Sequence, residues 1–113
     1  MVLAQLLRAG YIVLVPYNVM RYDLGLDVDG QLKRVQVKTA RVLNGALVFN
    51  PYSITGGKRI YYTADEIDLF GVYSPELDKT YLVPFADGKG TLRLEAARNG
   101  QTAGVRWAAE YEI

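Results

Sequence analysis

The sequence has no cysteine and no histidine. Without cysteine there are no disulfides, no thiolate metal sites and no sulfur nucleophile, and a reducing cytoplasm is the expected compartment. Without histidine there is no Ser-His-Asp triad, no imidazole zinc site and no imidazole acid or base. Chemistry must then come from carboxylates, Lys, Tyr and a hard metal ion. Long apolar runs are also missing. The opening MVLAQLLRAGYIVLV is interrupted by Arg8 and Gly10 and has no basic region before it, so it reads as neither signal peptide nor membrane span.

What is present suits one domain over residues 1–113, since half of the residues are apolar and a chain of this length can bury a core without staples. The formal net charge of +1 hides an asymmetry. Up to Tyr62 there are eight Lys/Arg against three acids, and beyond it five against nine. A basic surface suited to a polyanion can therefore coexist with near-neutrality, although ordinary solvated charge explains the same count.

Val2, Leu3, Leu6 and Leu7 recur at helical spacing and Gly10 marks a stop, which predicts a helix over 2–9. No capping residue precedes it, the pattern expected of a truncated first element. Strands are expected at 11–15, 22–28, 31–39, 46–49, 67–73, 80–84 and 91–95, with turns at Asp29-Gly30, Asn44-Gly45 and Asn99-Gly100. Asn50 to Arg59 reads as a flexible loop because of Pro51, Gly56 and Gly57. The expected class is α/β: a short N-terminal helix and a mixed sheet of about five or six strands.

The Asp29-Gly30 turn carries the chemistry. A two-residue hairpin there pairs Val28 with Gln31, and the same register sets Asp23 opposite Gln36. Lys38 lies two residues on, so it shares that face diagonally from Asp23. A carboxylate, an amide and an ammonium converge. A hard cation such as Mg²⁺ takes oxygen ligands, which Asp23 and Gln36 offer, and Lys38 suits positioning water or stabilising charge on a phosphate. A cross-strand Asp23–Lys38 ion pair is the structural alternative. Asp27 lies four residues from Asp23, about 13 Å along a strand, too far to join it.

Tyr22-Asp23, a hairpin and then Gln36-Val37-Lys38 resemble the PD-(D/E)xK nuclease signature with Gln at the second acidic position. The stretches RYDLGLDVDGQLKRVQVKTARVLNGALVFN and ADEIDLFGVYSPELDKTYLVPF extend the resemblance over most of the chain, toward the small endonuclease branch encoded in group I introns, where Gln at that position occurs. The resemblance implies a restriction-endonuclease-like core and DNA hydrolysis dependent on Mg²⁺ or Mn²⁺. It also assigns catalysis to Asp23, Gln36 and Lys38 and metal ligation to Asp23 and Gln36. Family members typically add a Glu from the first helix, whereas this helix has no acid.

Arg34, Arg41, Lys58 and Arg59 are the candidates for holding phosphate, and strand alternation turns Lys33 away from Gln36. Tyr52, Tyr61 and Tyr62 suit either base stacking or packing. Asp65, Glu66 and Asp68 read as a solvated turn. A small domain offers limited surface for a long DNA site, so a homo-oligomer presenting two active sites to duplex DNA is expected. A DNA-binding module with a decayed site, or an assembly subunit that binds no nucleic acid, would share the same fold.

Overall fold

A computed structural model describes residues 1–96, 100 and 104–113. The chain runs through α1 (Val2–Arg8), β1 (Ile12–Leu14), β2 (Leu24–Val28), β3 (Gln31–Thr39), β4 (Arg41–Leu43), β5 (Ala46–Val48), β6 (Tyr52–Thr55), β7 (Lys58–Tyr61), β8 (Leu69–Ser74), β9 (Lys79–Pro84) and β10 (Thr91–Arg93). The Asn99 half of the expected Asn99-Gly100 turn lies outside the described residues. Among them, no helix is long and apolar enough to cross a membrane.

Five strands form the central sheet in the order β1-β2-β3-β8-β9, with β3 parallel to β8 and the other neighbours antiparallel. The sheet is mixed because the segment between β3 and β8 crosses over instead of turning back. That crossover contains β4 and β5, which join β10 in a second sheet, and the β6–β7 hairpin, which is a two-stranded sheet of its own. The hairpin corrects the expectation of a flexible loop over 50–59. Gly56 and Gly57 take φ of +58° and +76°, the positive pair that a two-residue turn demands, and Thr55 then pairs with Lys58. Two adjacent glycines between YSIT and KRIY are a hairpin signal. Strand β4 lies outside the expected set; it follows β3 after the buried Ala40 and pairs with β5 in the second sheet.

Strand alternation divides the core. On one face Leu24, Leu26, Val35, Val37 and Leu69 pack with Val2 and Leu6 of α1. Leu6 is 0 % exposed, a burial that contributes about 2 kcal/mol. The helix lies close to the sheet over Gly71, where a Cβ would come within 3.0 Å of Val35 Cγ1 and 3.1 Å of Val2 Cγ1. On the other face Phe70, Val72, Tyr81 and Val83 pack with Leu47 and Phe49 of the second sheet, and with Tyr62 and Ile67. Gln36 pairs with Phe70 and Lys38 with Val72, so both side chains belong to this second face, at its margin.

Candidate active site

Asp29 and Gly30 have φ of +51° and +82°, and the turn pairs Val28 with Gln31 and Leu24 with Val35. Asp23 precedes the ladder, and its N–H donates to the Val35 carbonyl at 2.8 Å, one residue out of the register, so the regular pairing ends at Leu24 and Val35. Its carboxylate meets Gln36 directly. Gln36 Nε2 donates to Asp23 Oδ2 at 2.8 Å and to the Val37 carbonyl at 3.3 Å, and the Val37 N–H donates to the same Oδ2 at 3.0 Å. Both partners of the Gln36 amide are acceptors, so its NH₂ group must face them and its Oε1 points elsewhere.

Lys38 shares this face, but its ammonium donates to the Tyr52 carbonyl of β6 at 2.8 Å and stands 5.0 Å from the Tyr62 ring centroid. Among the described residues it forms no ion pair with Asp23. A simple cross-strand salt bridge is therefore not what these two residues make. Burial is the main force lowering the Lys38 pKa below its ordinary value. The Asp23 charge opposes that shift and the neighbouring Arg21 reinforces it.

The other basic residues separate by environment. The Arg34 backbone N–H donates to Asp68 Oδ2 at 2.7 Å, and its guanidinium bonds both Asp68 oxygens, at 3.0 and 3.2 Å. It also bonds the carbonyls of Ala64 and Asp65. This residue staples the approach to β8 onto β3. Arg34 in turn holds the Asp68 carboxyl below the usual carboxylate range, chiefly through the side-chain hydrogen bond. Arg41 is exposed beside an open cleft lined by Thr39, Ala40, Val48, Phe49 and Asn50. Lys58 and Arg59 are exposed on β7, and the Arg59 guanidinium lies 4.7 Å over the Tyr52 ring.

Tyr62 is only 7 % exposed and packs edge-on against Phe70, so it belongs to the core, whereas Tyr61 stays exposed against Tyr52. Asp27 accepts from the Gly30 N–H and serves the turn. The acidic segment 65–68 is not merely solvated: Asp68 pairs with Arg34, and Glu66 pairs with Arg21 at 2.9 Å. Arg21 is the residue that sequence reasoning missed. Its signal was position alone, two residues before Asp23 in the bent segment that leads into β2.

Among the described residues no group of three His, Cys, Asp or Glu side chains is gathered as for a metal ion. The oxygen set is smaller. The Asp23 carboxylate and the Val37 carbonyl converge on one point, now filled by the Gln36 NH₂, and half a turn of that amide would present Oε1 there. Such a set fits one hard, oxygen-loving cation with a single protein negative charge, a weaker holder than two carboxylates.

The frame is a parallel pair in a mixed sheet with a helix on one face and, on the other, Gln36 and Lys38 of β3 beside Asp23 at the entry to β2. The family model described as PD-(D/E)XK endonuclease matches residues 1–113, and this chain belongs to that family. A solved structure titled as that of a bacterial homing endonuclease, I-Ssp6803I, shares the fold. Its TM-score is 0.69 at 24 % identity, over 97 % of this chain and 80 % of that one. A search of curated proteins gave no match.

Proposed function

We propose that this chain hydrolyses phosphodiester bonds in DNA with a divalent cation, Mg²⁺ or Mn²⁺, at the Asp23–Gln36–Lys38 face. The observation that carries the reading is the convergence of Asp23 Oδ2, the Gln36 amide and the Val37 carbonyl within hydrogen-bond distance, with Lys38 on the same sheet face. Asp23, Gln36 through Oε1 and the Val37 carbonyl would hold the cation, which when bound supplies Lewis-acid polarisation of the phosphate. The protein supplies placement. Lys38 presents a positive charge from a partly desolvated site, where it acts more strongly on charge developing at phosphorus than it would in open water. One water oxygen bonds to phosphorus, one P–O ester bond breaks, and the leaving oxygen ends protonated.

Arg41, Lys58 and Arg59 are exposed, and we assign them to the DNA phosphates. Arg34 is committed to Asp68 and its neighbours, and we assign it to ordering the sheet. A homo-oligomer is supported by apolar side chains left exposed around the free edge of β1: Ile12, Leu14, Val15, Tyr17, Val19 and Met20. Light scattering at working concentration tests it, and a monomer would count against it.

The deciding experiment is cleavage of supercoiled and branched DNA with Mg²⁺ or Mn²⁺, comparing wild type with Asp23→Ala and Lys38→Ala. Both variants should lose activity, Lys38→Ala by about 10²- to 10³-fold in kcat, as when a donor aimed at developing charge is removed. Unchanged metal-dependent cleavage in Lys38→Ala would refute the assignment. A second reading, a DNA-binding module of the same fold with a decayed site, is favoured by one observation: α1 brings no acid to the site. Tight DNA binding without cleavage at any metal concentration would select it.

A further inference from the structure

We propose that Arg21 is a positioning residue for this active site: anchored on Glu66, it clamps the β6–β7 hairpin to the central sheet and so keeps the Tyr52 carbonyl where it orients the Lys38 ammonium. The role in cleavage rests on the nuclease reading above, whereas the clamp itself does not.

The hairpin needs a clamp. Among the described residues it shares no ladder with either larger sheet, and residues 54–61 are all exposed. No apolar face of it is buried deeply enough to fix its position. Arg21 reaches both of its strands: one terminal nitrogen donates to Ser53 Oγ at 2.7 Å, and the other to the carbonyls of Ile60 and Tyr61 at 3.4 and 3.5 Å. Its Nε donates to Glu66 Oε2 at 2.9 Å, and the other Glu66 oxygen accepts from the Thr63 N–H at 3.1 Å and hydroxyl at 3.3 Å. One guanidinium thereby joins β6, the end of β7 and the turn that follows.

Lys38 is attached to the same unit. Its ammonium bonds the Tyr52 carbonyl, and Arg21 and Lys38 both lie over the Tyr62 ring, at 4.1 and 5.0 Å from its centroid. Arg21 lies two residues before Asp23 in the chain, so carboxylate and lysine are referenced to one arginine from two sides. The Arg21 donors are spent on the protein, and its side chain is 33 % exposed, so it is better placed to hold structure than to grip a phosphate. A planar fork can make these divergent bonds and a point-like ammonium cannot.

The test measures amide hydrogen exchange of the full-length chain together with single-turnover DNA cleavage, in wild type, Arg21→Ala, Arg21→Lys, Glu66→Gln and the Arg21→Ala/Glu66→Gln double variant. In both Arg21 variants, amides in 52–61 should exchange at least about tenfold faster while 24–39 keeps its protection, the mark of local opening in an intact fold. kcat at saturating DNA should fall about tenfold or more because the placement of Lys38 is lost, and KM should rise with it because Lys58 and Arg59 ride on the same hairpin. Lys should not rescue, and the double variant should be no worse than Arg21→Ala. Hairpin protection and kcat both unchanged in Arg21→Ala, or full rescue by Lys, overturns the proposal. A wild-type chain that never cleaves, while the Arg21→Ala hairpin loosens, overturns the nuclease reading and leaves the clamp standing.

Discussion

Replacing Gln36 by Glu restores the acid of the family signature, and it should make the protein's stability depend on metal. In the structure the Gln36 NH₂ stands 2.8 Å from Asp23 Oδ2 and 3.3 Å from the Val37 carbonyl and donates to both. The Gln36→Glu substitution would place a second carboxylate against the first. The lost hydrogen bond costs about 1 kcal/mol. Two unit charges about 4 Å apart repel by about 1 kcal/mol in water, and the exposure of Asp23 argues for a value near that limit. The sum, about 2 kcal/mol, corresponds to a Tm lower by about 8 °C for a domain of this size. Thermal unfolding in a chelator at neutral pH reads it directly. Adding Mg²⁺ or Ca²⁺ should reverse the loss, since metal at about 100 times its Kd stabilises by about 2.7 kcal/mol. Lowering the pH should also reverse it: like charge raises the folded-state pKa of the pair, so the penalty exists above that pKa and fades as one carboxyl takes a proton and donates to the other. A Gln36→Glu protein with wild-type Tm in chelator and no response to either cation refutes the reasoning.

Three further outcomes follow from the same geometry. Asp68 and Glu66 have folded pKa values below their ordinary ones, chiefly through side-chain hydrogen bonds from Arg34 and Arg21. The stability they bring is complete above the unfolded carboxylate pKa of about 4 and is lost as pH falls through the folded values, so Asp68→Asn should flatten the acid limb of the urea midpoint against pH. A wild-type limb in that variant would reject the assignment. Lys58→Ala with Arg59→Ala should weaken DNA binding in Ca²⁺ and reduce the slope of log K against log salt by about 2, whereas an unchanged slope removes both from the interface. Gly71→Ala should destabilise by about 1–2 kcal/mol, because its methyl meets Val35 and Val2 at 3.0 and 3.1 Å, and an unaltered denaturation midpoint would show that α1 gives way.

The sequence by itself determined whatever depended on neighbours in the chain. Asp29-Gly30 sets by turn geometry alone a hairpin register that runs to Leu24 and Val35, so the meeting of the Asp23 and Gln36 side chains just beyond it, with Lys38 on the Gln36 side of β3, was readable from the turn. The helix stop at Gly10 and the alternation that sends Val35 and Val37 to the core while Gln36 and Lys38 face the other way are equally local. Gly56-Gly57 was local too, but a glycine pair serves flexible loops as readily as hairpins, and the short flanking strands carry little hydrophobic alternation.

Only the tertiary structure decided which distant groups meet. The parallel pairing of β3 with β8 follows a long crossover, and no turn residue specifies its register. That pairing brings Asp68 to Arg34 and Glu66 to Arg21, converting a cluster of acids into two anchored ion pairs. It also decides that Lys38 bonds a β6 carbonyl in preference to Asp23. Sheet periodicity says which way a side chain points, but the partner it finds is set by the packing of segments far apart in the chain, where no short-range rule applies.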